Sequence, residues 1–168
     1  MSVTSTQRGN THATESLGFG FVASPELSSN LQLVLSDLVE LHLQGKQAHW
    51  NIVGSNFRDL HLLLDEIVDA ARDASDTIAE RMRALYAVPD GRSETVSAMT
   101  SLPKLPAGEI DTHEAVELIR GRLIAVATRA RAVHDAVDEQ DPTSADLLHQ
   151  VIETTEKFAW LIGAEHRA

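Results

Sequence analysis

Cysteine is absent from the 168 residues, which excludes disulfides, thiolate catalysis and Cys-ligated metal, zinc fingers and iron–sulfur clusters included. Positive charge is scarce: 14 Lys and Arg stand against 25 Asp and Glu, for a net charge of -11. Such a surface does not attract DNA phosphates as a whole, so any DNA contact requires a local patch or tail. Long apolar runs are also missing, and none approaches the roughly 20 residues that span a bilayer, so no membrane partner is expected. Residues 1–24 lack the basic start and apolar run of a secretory signal, which predicts a cytoplasmic protein. Strand patterning and internal repeats are not evident. What is present is 43% hydrophobic content in a chain long enough to bury one core.

The spacing of the apolar residues is helical. At Ser24-Pro25-Glu26, Ser24 can cap free amides and Pro25 loses nothing at the first helical position. Leu27, Leu31, Val34, Leu35, Leu38, Leu41 and Ala48 predict a first helix to about Ile52, stopped by Gly54. Asn56 is the expected cap of a second helix from Phe57 to near Tyr86, with Leu60, Leu64, Ile67, Ala71, Ile78 and Met82 on its apolar face. Pro89, Gly91, Pro103, Pro106 and Gly108 break up the next stretch and leave room for a short helix over 94–99 inside a crossover. A third long helix is predicted from about Glu109 to Glu139, and a fourth from Pro142 to Ala164 after the Asp141-Pro142 break. Short links at both ends and a long one in the middle predict an all-α, ferritin-like four-helix bundle over residues 25–165. Residues 1–24 are then a flexible tail and 166–168 a C-terminal end.

Metal chemistry concentrates in the first two helices. His49, His61, Asp65, Asp76 and Glu80 are nitrogen and oxygen donors, a mix suited to iron, zinc or manganese. His61 and Asp65 lie four residues apart, as do Asp76 and Glu80, so each pair shares a helix face. The 15 residues from His61 to Asp76 cover about 22 Å of helix, against metal–ligand bonds of about 2 Å. One copy of that helix cannot close the site. An antiparallel second copy can, giving two equivalent sites with His49, His61 and Asp65 from one chain and Asp76 and Glu80 from the other. Taken singly, each residue is more often a solvated side chain or a local salt-bridge partner, and the joint arrangement is what favours a metal.

The segment Gly45-Lys46-Gln47-Ala48-His49-Trp50-Asn51-Ile52-Val53-Gly54, with Phe57, Leu60-His61, Asp65-Glu66, Asp76 and Ala79-Glu80-Arg81, resembles the signature of the Dps family of ferritin-like miniferritins. Ala145-Asp146-Leu147-Leu148 and Lys157-Phe158-Ala159-Trp160-Leu161-Ile162 extend the likeness, which covers roughly residues 25–165. The resemblance implies a hollow homo-dodecamer built from two-fold dimers, with a ferroxidase centre at each dimer interface. All five donors match the family's ligand positions. It further implies oxidation of Fe(II) by hydrogen peroxide, or more slowly by oxygen, and storage of Fe(III) mineral in the shell. Trp50 is then a packing wall beside His49 or an electron donor to a damaging oxidant. Lys46 and Arg81 are supporting residues of the centre or salt-bridge partners.

Asp138, Glu139, Asp141, Asp146 and Glu153 cluster where the last two helices join, and three copies around an axis would make a cation-focusing pore. Asp141 and Asp146 are the expected pore residues; solvated helix ends are the plainer reading. For DNA the tails offer little, since Arg8 is the single firm positive charge of residues 1–24, although many copies would amplify weak contacts. Beside the iron reading stands another, a nucleoid-associated shell that coats DNA and binds metal incidentally. A bare four-helix interaction module is the third, and the complete donor set disfavours it.

Overall fold

Ser24 starts the first helix as expected. Its Oγ accepts the Leu27 N–H at 3.0 Å and Pro25 follows, giving α1 (Pro25–Asn51). The computed structural model describes residues 20–164, so Arg8, most of the expected tail and the C-terminal end lie outside the described residues. After α1 come β1 (Ile52–Val53), α2 (Phe57–Ala84), α3 (Ser93–Met99), β2 (Ile110–Asp111), α4 (Thr112–Asp138) and α5 (Pro142–Ala164). The protein is an all-α ferritin-like four-helix bundle with a short crossover helix. α1 packs on α2 and α4 on α5, contacts between α1 and α4 and between α2 and α5 close the bundle, and α3 lies on α1. Leu27, Leu31, Leu38 and Leu41 of α1 meet Leu60, Leu64, Ile67, Ile78 and Met82 of α2, Ile119 and Leu123 of α4, and Leu148, Val151 and Ile162 of α5 in one core.

Three local expectations are corrected. Asn56 does not cap α2 with its side chain; it adopts the left-handed conformation at φ 55°, which Asn tolerates, and makes no side-chain cap bond. The third long helix starts at Thr112 rather than Glu109, because the Asp111 carboxylate accepts the His113 N–H at 2.9 Å and caps it there. Strand pairing also occurs: β1 and β2 run parallel, with Ile52 opposite Ile110 and Val53 opposite Asp111. Two residues are too few for any periodicity to show. Gly54, beside this pairing, has φ +130°, and a Cβ there would sit 2.8 Å from Thr112 Oγ1, so the sharp exit from α1 requires glycine.

The crossover is fastened along α1 by buried polar groups. Gln32 exchanges two hydrogen bonds with the Asp90 backbone, donating to its carbonyl at 2.9 Å and accepting its N–H at 2.8 Å. Asp37, fully buried, accepts from Thr100 Oγ1 at 2.9 Å, from Ser101 N–H and Oγ at 2.6 Å each, and from Arg129 Nε at 3.2 Å. Gln44 donates to the Pro103 carbonyl at 3.1 Å and accepts from the buried Arg122, whose other guanidinium hydrogens go to the carbonyls of Leu118, Pro103 and Lys104. Burial pushes the Arg122 guanidinium down, and the Glu40 charge partly offsets this.

Candidate metal centre

His49 lies in the last turn of α1 and His61 near the start of α2, so the tight link between the helices brings them face to face. Their rings stack at 3.6 Å between centroids. Each Nδ1 stands 3.0 Å from the other residue's backbone carbonyl. A carbonyl only accepts, so each Nδ1 donates, and in the neutral imidazole Nε2 then carries the lone pair that a metal ligand needs. Asp65 joins this pair, with Oδ1 at 3.2 Å from His49 Nδ1 and 2.5 Å from Lys46 Nζ. The Lys46 hydrogen bond holds the Asp65 carboxyl below its ordinary value against the opposing effect of burial, and the Lys46 charge, with the charges His49 and His61 carry when protonated, adds to the lowering. Asp65 is therefore an anion at neutral pH.

Asp76 and Glu80 are exposed on the same unbroken helix, α2, so the 15-residue rise from His61 stands and they do not reach the histidines of their own chain. Among the described residues no three His, Asp or Glu side chains gather into a group able to hold a metal ion. His49, His61 and Asp65 are neighbours without forming such a group, and Asp76 and Glu80 lie elsewhere on α2. Phe57, itself exposed, stacks on His61 with ring centroids 5.1 Å apart, and Leu43, Trp50, Val53 and Leu62 of the same hairpin are exposed as well. Trp50 is 68% exposed and builds no wall within its own chain.

Arg81 turns away from Glu80 and binds Asp141, with Nη2 to Oδ2 at 2.7 Å and Nε to Ser144 Oγ at 3.1 Å. It is a salt-bridge partner that ties α2 to the α4–α5 junction. Asp141, expected at a pore, is 8% exposed within its own chain and bonded to Arg81 and Ser144. Asp146, by contrast, is exposed, 3.7 Å from His149 Nδ1. Burial pushes Asp141 up, yet hydrogen bonds from Ser144 and Arg81 and the Arg81 charge outweigh it and hold the carboxyl below its ordinary 3.8. A depressed folded value stabilises the fold above the unfolded pKa, and the gain is lost as pH falls through the folded value. The difference in urea midpoint between wild type and Asp141→Asn is therefore expected to stay constant from about pH 7 to pH 5 and to close below about pH 4.

The fold, with its long crossover and its donors on the first helical hairpin, is that of a ferritin-like protein, and residues 29–167 match the ferritin-like domain family. "DNA protection during starvation protein 2" of Deinococcus radiodurans is 35% identical over 134 residues, which is 80% of this chain and 56% of that protein. The "DNA protection during starvation protein" of Agrobacterium fabrum is 33% identical over 131 residues, covering 77% of this chain and 81% of that one. The solved structure of Dps from Microbacterium arborescens in the high iron form superposes with a TM-score of 0.79 at 35% identity, over 87% of this chain and 98% of that chain. The chain belongs to the Dps family of ferritin-like proteins, whose general function is the oxidation and storage of iron.

Proposed function

We propose that the protein is a ferroxidase whose centres form between two-fold-related chains, with His49, His61 and Asp65 of one chain facing Asp76 and Glu80 of its partner. The single observation that carries this reading is the reciprocal Nδ1–carbonyl bonding of His49 and His61, which leaves Nε2 of each neutral ring free to bind a metal. Fe(II) is the substrate. The imidazoles supply borderline donors, and the three carboxylates offset the charge that grows as Fe(II) becomes Fe(III). Lys46 keeps Asp65 ionised and yields its place to the arriving cation. Two Fe(II) ions each give up one electron, the O–O bond of hydrogen peroxide breaks, and two protons complete two waters; O2 is the slower oxidant. Fe(III) is stored as mineral in a hollow homo-dodecamer, and DNA is protected because both ingredients of hydroxyl-radical chemistry are consumed.

This reading places the protein in the cytoplasm, nucleoid-associated where DNA is bound. No described helix is long and apolar enough to cross a membrane. Cation entry is assigned to exposed carboxylates near the α4–α5 junction, Asp146 foremost, and DNA contact to the N-terminal segment containing Arg8.

The test is peroxide consumption and Fe(III) formation after anaerobic Fe(II) loading. His61→Ala and Glu80→Ala, with assembly checked, are each expected to lose more than about 100-fold in rate, beyond the 10–100-fold that changes to supporting residues of metal sites cost. Equal slow rates in all three proteins would reject the assignment and favour the DNA-coating shell.

A further inference from the structure

On the side away from the core, α2 carries a second stripe. Leu62, Asp65, Asp69, Arg72, Asp76 and Glu80 recur at steps of three and four, and all but the half-buried Asp65 are exposed. Asp69, Arg72 and Asp76 line a groove of about 870 Å³ together with Leu35, Val39 and His42 of α1. Among the described residues, neither Asp69 nor Arg72 has an ion-pair partner within the chain, although they are neighbours on one helix face.

The intersubunit reading above, on which this inference rests, fixes how two α2 helices must lie. If His61 faces the partner's Glu80 and Asp65 faces the partner's Asp76, both pairings centre on the point between Ala70 and Ala71. The two-fold axis crosses there. The same symmetry sets Asp69 opposite the partner's Arg72, and Arg72 opposite the partner's Asp69. We propose that Asp69 and Arg72 form a reciprocal charge clamp, astride the two-fold axis, that seats a second copy of this chain in the groove and sets the register of the metal centre.

Four charges of alternating sign then lie within a turn of the axis. An exposed ion pair contributes little, but here the partner covers both pairs, and opposing like charges costs more than matching opposite charges gains. The pattern also disfavours one slipped pairing. Sliding the partner by one turn in one direction sets Asp69 against the partner's Asp76 twice. A slip the other way sets Arg72 against the partner's Asp65, and in either slip the donors no longer meet.

The experiment uses the full chain with two single variants, Asp69→Arg and Arg72→Asp. Each alone opposes like charges twice and is expected to weaken pairing by about 100-fold or more, leaving species smaller than wild type in sedimentation at neutral pH and low salt. Circular dichroism should report unchanged helix. Mixing the two variants pairs every altered charge with its opposite, so the wild-type assembly is expected to return, as it should in the double variant carrying both changes. Wild-type assembly by each single variant, or folded single variants that neither mix nor combine into assemblies, would overturn the clamp. Fe(II) oxidation separates this from the reading beneath it. Restored assembly with restored oxidation supports both. Restored assembly without oxidation keeps the clamp and rejects the centre, whereas normal assembly and oxidation in the single variants rejects the clamp and keeps the centre.

Discussion

Chains carrying His61→Ala, assembled together with chains carrying Glu80→Ala, are expected to recover about a quarter of wild-type Fe(II) oxidation, although each variant alone has almost none. The recovery follows from how the donors are divided. A pair formed from one chain of each kind has one site with both changes and one site with neither. In the intact site, His49, His61 and Asp65 come from the Glu80→Ala chain, and Asp76 and Glu80 come from the His61→Ala chain. Random pairing makes half of all pairs mixed, and half the sites in those pairs are whole. A centre built within one chain would instead carry a defect in every copy, and mixing would restore nothing. The measurement is the initial rate of Fe(III) formation on co-assembled protein, against the two variants alone and wild type. An absence of recovery in demonstrably mixed assemblies would reject the shared centre while leaving the fold untouched.

Asp37→Ala is expected to destabilise the protein by about 3–5 kcal/mol, the range for removing one partner from a buried charged network. Asp37 is fully buried and accepts four hydrogen bonds, from Thr100, from Ser101 twice and from Arg129. Its loss strands the Thr100 and Ser101 donors under the crossover and leaves the Arg129 guanidinium, 25% exposed, without its carboxylate. Asp37→Asn keeps the shape and one acceptor oxygen, so it should cost less, about 1–3 kcal/mol. Thermal unfolding at a fixed protein concentration should show the two variants in that order, because assembly contributes to apparent stability. An Asp37→Ala protein as stable as wild type would mean that the crossover is held without Asp37, by its apolar contacts and the Gln32, Gln44 and Arg122 hydrogen bonds.

The helices were legible because each long one buries a single stripe. Leu27, Leu31, Leu38 and Leu41 recur as a helix face requires and are all buried. The caps were legible where the cap residue directly precedes the helix in extended backbone, as Ser24 does, and misread where the chain first had to turn, as at Asn56. The histidine pair was legible as residue types at helix ends; the mutual carbonyl contacts that make each Nδ1 a donor depend on the turn between α1 and α2 and leave no local signal. The fastening of the crossover was missed although a trace of it existed. Asp37 and Gln44 interrupt apolar stretches of α1, and polar residues at such positions need partners from distant parts of the chain. The partner of Asp141 was missed for the converse reason: acidic residues at a helix junction look solvated until an arginine from another helix, here Arg81, is seen to reach them.

The five proposed donors all belong to one helical hairpin, yet that hairpin is not an autonomous metal-binding unit. When α2 is complete, Asp37 has met neither Thr100 and Ser101 nor Arg129, and Gln44 has met neither the crossover nor Arg122. A half-molecule ending after α2 would have to keep these groups wet, and with them the interior face of α1. During synthesis the bundle therefore cannot close behind the donors until the chain has emerged at least as far as Arg129. Iron chemistry is thus available only to a chain that has been made and folded through most of its length.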